Sequence, residues 1–236
     1  MSVQVKTEGF AISVRRGVYT IVWSICALLC VWLALFSYRY LFGLGGVPPV
    51  IAGNALKNPW LLVHVAGAAT ALLVGPVQFS SRLRARFRSF HRWIGRTYVV
   101  SCLVGGVSGF LLALGASTGP ISTIGFGSLA ILWLVTTVVA WRRAMQRRFV
   151  EHRAWMIRSF ALTLAAVTLR LYLPMAALLS IPFDDAYRAI SFLAWVPNLL
   201  LAELYLRQRA MLNSTSPHES GFLTQRRKGR EALPRF

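Results

Sequence analysis

The sequence predicts an all-α, polytopic transmembrane bundle of about six spans with both termini on the cytoplasmic side. Three observations carry this expectation: a composition too apolar for water, a series of long apolar runs, and basic charge that alternates from loop to loop. Of the 236 residues, 56% are hydrophobic and 14% charged, with a mean hydropathy of +0.57; a soluble domain carries about a quarter charged residues. So little polar surface cannot cover a water-soluble globule, and the apolar excess must face lipid. The net charge of +19 would suggest nucleic-acid binding in a soluble protein. Here the basic residues stand between apolar runs rather than on one folded surface, which argues against a nucleic-acid partner and for the bilayer and its anionic lipids.

A helix needs about 20 apolar residues to cross hydrocarbon. The first such run, Val18 to Phe42, is too long for a signal-peptide core and is expected to be an uncleaved anchor. The others are Trp60 to Phe79, Thr97 to Ala116, Ile124 to Ala144, Trp155 to Leu179 and Ala186 to Leu206. Pro76, Pro174 and Pro197 mark places where helices could break. Gly43 to Asn58, with its glycines and Pro48-Pro49, reads as an irregular loop rather than another helix. Cys26, Cys30 and Cys102 lie inside apolar runs without CxxC or zinc spacing, which fits small residues at helix contacts. The expected organisation is a cytoplasmic segment 1–17, a transmembrane domain 18–208, and a basic, disordered cytoplasmic tail 209–236.

Orientation follows from the loops. Arg15 and Arg16 precede the first span. Arg82, Arg84, Arg86, Arg88 and Arg92 lie between the second and third, and Arg142, Arg143, Arg147, Arg148 and Arg153 between the fourth and fifth. The opposite connections contain Lys57 as their basic residue. The positive-inside rule then places the arginine-rich loops in the cytoplasm. The run from Arg82 to Arg88 also suits anionic lipid, at about 1 kcal/mol per basic residue near the surface.

Polar residues recurring on one helical face mark the bundle interior. In the fifth span, His152, Ser159, Thr163 and Arg170 form one stripe at 3.6 residues per turn. Arg170 lies about 27 Å of helix rise beyond His152. Its insertion costs roughly 2.5–3.5 kcal/mol, so either a partner, a wet cavity, or helix carbonyls should receive it. In the third span His91, Tyr98, Cys102, Gly105 and Gly109 share a face; the two glycines allow close helix packing or leave space for a flat cofactor. The second span has His64 near its outer end and Gln78 at its inner end, about 21 Å apart in rise. His64 therefore cannot join the inner histidines and reads as a hydrogen-bonded packing residue. Asn198 and Glu203 lie on the sixth span, Glu203 being placed to pair with a loop arginine or to act as an ion-coupling carboxylate.

His91 and His152 both start helices that run outward from the cytoplasmic side, so they lie at similar depth on parallel helices. Neutral imidazole ligates haem iron and other metals. Arg92 and Arg153, each following a histidine, are placed to balance haem propionates or to hold an acidic lipid head group. The segments HVAGAATALLVGPVQF from His64, HRWIGRTY from His91, GFGSLAILWLVTT from Gly125 and HRAWMIRSFALTLAAVTLR from His152 resemble the bacterial membrane family known as domain of unknown function 2306. That resemblance implies a multi-pass protein of the bacterial inner membrane. The histidine arrangement is also similar to b-type membrane cytochromes, which implies haem b, and a single inner haem because only His64 is available on the outer side. Walker loops, dinucleotide fingerprints, nucleophile elbows and HExxH motifs are absent, and no catalytic residue is assigned. Three function classes stand: a haem-binding electron-transfer protein, a small-molecule or lipid transporter or binding protein, and a scaffold without chemistry.

Overall fold

With no water to satisfy its backbone, a chain crossing hydrocarbon must close its hydrogen bonds within each segment, and long apolar runs therefore become helices. The computed structural model describes residues 2–44 and 46–214, and among them the regular structure is entirely helical. In order come α1 (Ser2–Tyr38), α2 (Pro49–Ala52), α3 (Lys57–Gln78), α4 (Ser81–Arg86), α5 (Arg88–Leu114), α6 (Pro120–Met145), α7 (Phe149–Thr163), α8 (Ala165–Leu178), α9 (Phe183–Leu193) and α10 (Val196–Ser214). A 3₁₀ turn, Arg39–Phe42, ends α1 at Gly43, whose φ of 66° suits glycine. Six segments are long and apolar enough to cross a membrane: Gly17–Phe42, Lys57–Gln78, Arg88–Leu114, Pro120–Met145, Phe149–Leu178 and Phe183–Met211.

All six expected spans are present, with differences at their ends and middles. The third and fifth begin earlier than their apolar runs because the helices continue into the arginine-rich segments. The 43–58 connection is not wholly irregular: Pro49 starts the single turn α2, proline being tolerated where no helical N–H bond is required. Pro76 and Pro174 lie inside α3 and α8 without ending them. The actual interruptions fall at Leu164 and at Ala194–Trp195, and Pro197 sits in the first turn of α10, just after the second break. That second break frees the Ala194 carbonyl, which accepts from Thr168 Oγ1 and, at 3.1 Å, from Asn198 Nδ2. Much of the basic tail lies outside the described residues, while α10 continues beyond residue 208 to Ser214.

The most extensive helix contact is between α3 and α5. A Cβ added to Gly67 would lie 2.5 Å from the Gly105 nitrogen, and one added to Gly105 would lie 2.9 Å from the Ala68 nitrogen. Backbone thus meets backbone, the use to which membrane helices put small residues. This decides the two uses considered for Gly105 and Gly109: Gly105 receives α3 and Trp133, and Gly109 receives the His64 ring. α6 packs on α5 and α7; α1 covers α3, α9 covers α6 and α8, and α10 covers α7. Trp23, Phe79 and Phe160 pack together with ring centroids 5.0–5.9 Å apart, joining α1, the end of α3, and α7. Cys30 and Cys102 are buried and all three cysteines are free, consistent with packing roles. Outward positions such as Leu28, Leu35, Val107, Ile131, Leu171 and Leu200 are exposed and apolar, the surface that lipid covers.

Candidate functional site

The middle of the bundle contains a buried hydroxyl network. Tyr98 on α5 projects to α7, where its hydroxyl lies 3.0 Å from Ser159 Oγ and 2.9 Å from Thr163 Oγ1. Trp133 Nε1 donates to Thr163 Oγ1 at 2.9 Å, and Thr137 Oγ1 lies 2.7 Å from Ser159 Oγ. One proton arrangement satisfies the whole set. Thr163 gives its proton to the Ser159 carbonyl at 3.0 Å, so Tyr98 must donate to Thr163, Ser159 to Tyr98, and Thr137 to Ser159. Tyr98, Thr137 and Ser159 are fully buried, and Cys102 packs beside them. Every proton in this network has an acceptor, as burial in a low-dielectric interior demands.

Below it, at the arginine-rich end, lie His91 and His152. His91 on α5 and His152 on α7 lie at the same end of the bundle, within charge–charge range of each other. His152 Nδ1 lies 2.8 Å from the Ala140 carbonyl on α6. A carbonyl only accepts, so Nδ1 carries the proton and, in the neutral ring, Nε2 keeps its lone pair. Gly95 stands one turn along α5 from His91, and a Cβ there would approach only Gln78, at 3.4 Å from Oε1. Gln78 ends α3 buried, and its Nε2 has no hydrogen-bond partner among the described residues. An orphaned buried donor is rare enough to require an explanation. Arg84 lies within electrostatic range of His91. Arg92 and Arg153 are exposed, Arg92 reaching only Ser89 at 3.5 Å.

The remaining sequence candidates are elsewhere. His64 Nδ1 donates to the Gly105 carbonyl at 2.8 Å near the opposite end, the packing role expected of it. The fifth-span stripe divides at Leu164: Ser159 and Thr163 face α5 and α6, whereas Arg170 on α8 donates to the Ala166 carbonyl at 3.2 Å and to Ser37 on α1 at 3.3 Å. Glu203 pairs with a helix arginine, not a loop arginine. Arg158 on α7 holds it through Nε at 2.5 Å and Nη2 at 3.0 Å, because α10 packs on α7 at that level. Arg143 in the last turn of α6 and Arg148 just before α7 pair with Glu151 at 3.1 and 2.5 Å. Trp133 and Thr137 were not anticipated in the core; Thr136-Thr137 within an otherwise apolar run was the available signal.

Comparison with known proteins gives one match. The family model described as "Predicted membrane protein (DUF2306)" matches residues 61–206, more than half of the chain, from α3 through α10. No curated protein and no solved structure matches. The matched region contains His64, the hydroxyl network, His91, His152, Gln78 and Glu203. The chain therefore belongs to the DUF2306 family of predicted membrane proteins.

Proposed function

We propose that this membrane protein holds one haem b between His91 and His152 at its arginine-rich end and carries electrons through it. The observation that supports the reading is the make-up of that end: two imidazoles from different helices within charge–charge range, His91 one turn from Gly95, and next to Gly95 a buried Gln78 amide without a partner among the described residues. Two histidines make a complete axial set for haem iron. They are an incomplete set for a bare metal ion, which takes about four ligands. His152 has the orientation such a ligand requires, its Nδ1–H fixed on a backbone carbonyl and Nε2 left free. Gln78 Nε2 supplies a donor, and the exposed Arg92 and Arg153 supply charge for propionates. Bound haem would contribute a one-electron iron couple.

The loop charges further suggest that this end, with both termini, faces the cytoplasm of a bacterial cell. Reporter fusions after Lys57, Arg88, Thr118, Arg148 and Asp184 test the orientation, since an external signal at Arg148 contradicts it. For the cofactor, the visible spectrum of detergent-purified protein, expressed with ample haem and measured before and after reduction, is the direct test. His91→Ala and His152→Ala should each lose the spectrum while His64→Ala retains it. A well-folded wild type without haem overturns the reading.

A further inference from the structure

At the end opposite the arginine-rich loops, two guanidinium groups come to the end of α1 without a paired carboxylate among the described residues. Arg39 follows α1, with its guanidinium carbon 3.9 Å from the Phe36 ring centroid and its Nη2 donating to Tyr40 Oη at 3.2 Å. Its Nε is buried and has no partner among the described residues. Arg170 enters from α8, held only by the Ala166 carbonyl and Ser37 Oγ among the described residues. Arg170 and Arg39 are thus both held at the last turn of α1, on the adjacent residues Ser37 and Phe36, with Tyr40 and Tyr187 of α9 within charge–charge range of Arg170. The acidic side chains that pair do so elsewhere: Glu151 with Arg143 and Arg148, Asp185 with Arg188, and Glu203 with Arg158. Asp184 is exposed.

Two partly buried cations beside lipid need a counter-charge, and the hydrogen-bonding atoms left over define its kind. A guanidinium offers five N–H donors, of which Arg170 uses two and Arg39 one in these bonds. Tyr40 Oη accepts from Arg39 and retains its own proton. The donors come from the turn after α1, from α8 and from α9, and so approach from several directions. A planar carboxylate is served by one fork; a tetrahedral phosphate takes donors from several sides. We infer that Arg39, Tyr40, Arg170 and Tyr187 form a binding site for one phosphate group. It is independent of the histidine pair, which lies at the other end.

Arg170 is eight residues before the end of α8, about 12 Å of rise, and is followed by exposed Leu171, Met175 and Leu178. That apolar flank gives a lipid's acyl chains a path beside the site, while a free phosphate would have to arrive from the aqueous side. The full-length protein is purified in dodecyl maltoside and phosphate-free buffer, so that no phosphate group is present. Three preparations are compared by thermal unfolding: detergent alone, the same with phosphatidylglycerol, and the same with inorganic phosphate. Wild type should gain thermal stability with one of the phosphate sources, and that source identifies the ligand. Arg39→Gln and Arg170→Gln should weaken the response at least tenfold in ligand concentration, and Arg170→Lys should restore it partly. Arg147→Gln, at the opposite end, should respond as wild type. To guard against variants that fail to fold, native mass spectrometry of the wild type and the single Tyr187→Phe counts retained phosphatidylglycerol or phosphate directly. The inference is overturned if wild type responds to neither source, or if both glutamine variants respond as wild type does.

Discussion

The middle of the bundle and its arginine-rich end are both polar, yet they differ in whether their hydrogen bonds close. Around Tyr98, one assignment of protons gives every donor an acceptor. At Gln78 a buried amide nitrogen has none. Closed networks stabilise a fold and specify it, whereas an open donor at the end that carries the two histidines leaves something for another molecule to supply. Buried polarity therefore separates into two kinds here, and hydrogen-bond closure distinguishes them better than burial does.

The largest disruption should come from the contact on which both regions depend. Gly67→Val puts atoms into the Gly105 backbone, which cannot move aside as a side chain would, and should cost about 3 kcal/mol. Thermal unfolding in detergent, followed by tryptophan fluorescence, should show a much lowered midpoint and loss of any cofactor spectrum. A wild-type midpoint would mean that the two regions do not share this scaffold. Tyr98→Phe is more selective. It leaves Ser159 without its acceptor and should lower stability by about 1 kcal/mol, with the spectrum unchanged. Loss of the spectrum at unchanged stability would move Tyr98 from the closed region to the open one. The smallest expected effect has the opposite sign: Gln78→Leu removes a donor that has no partner and should raise the stability of ligand-free protein by about 0.5–1 kcal/mol. If it destabilises as Tyr98→Phe does, the amide already has a partner and the contrast fails.

The spans were legible because a lipid solvent leaves a simple record: about 20 apolar residues for each crossing. The breaks were not. Proline was the visible signal, but Pro76 and Pro174 are accommodated within helices, while the Ala194 break is supported by Thr168 and Asn198 from other turns of the fold. Helical spacing put Ser159 and Thr163 on one inward face and gave the histidines a common end. It carried Arg170 onto the same stripe because the count assumes one continuous helix, and the interruption at Leu164 divides what the count joins. Arg158 as the partner of Glu203, and Arg39 as the neighbour of Arg170, depend on which helices pack together. No local period contains that information.

The glycine contact between α3 and α5 also has a mechanical consequence. Helices that touch through flexible side chains can slide past one another when a bilayer thins or thickens, but sliding here would drive backbone against side chain within one residue of travel. Axial register between these two helices is thereby locked. The separation of His64 from Gln78, about 21 Å along α3, then acts as a fixed ruler between the two polar ends, whatever lipid surrounds them. A change in membrane thickness must be absorbed by tilting this pair as a unit, or by the flanking segments at the breaks after Thr163 and Leu193.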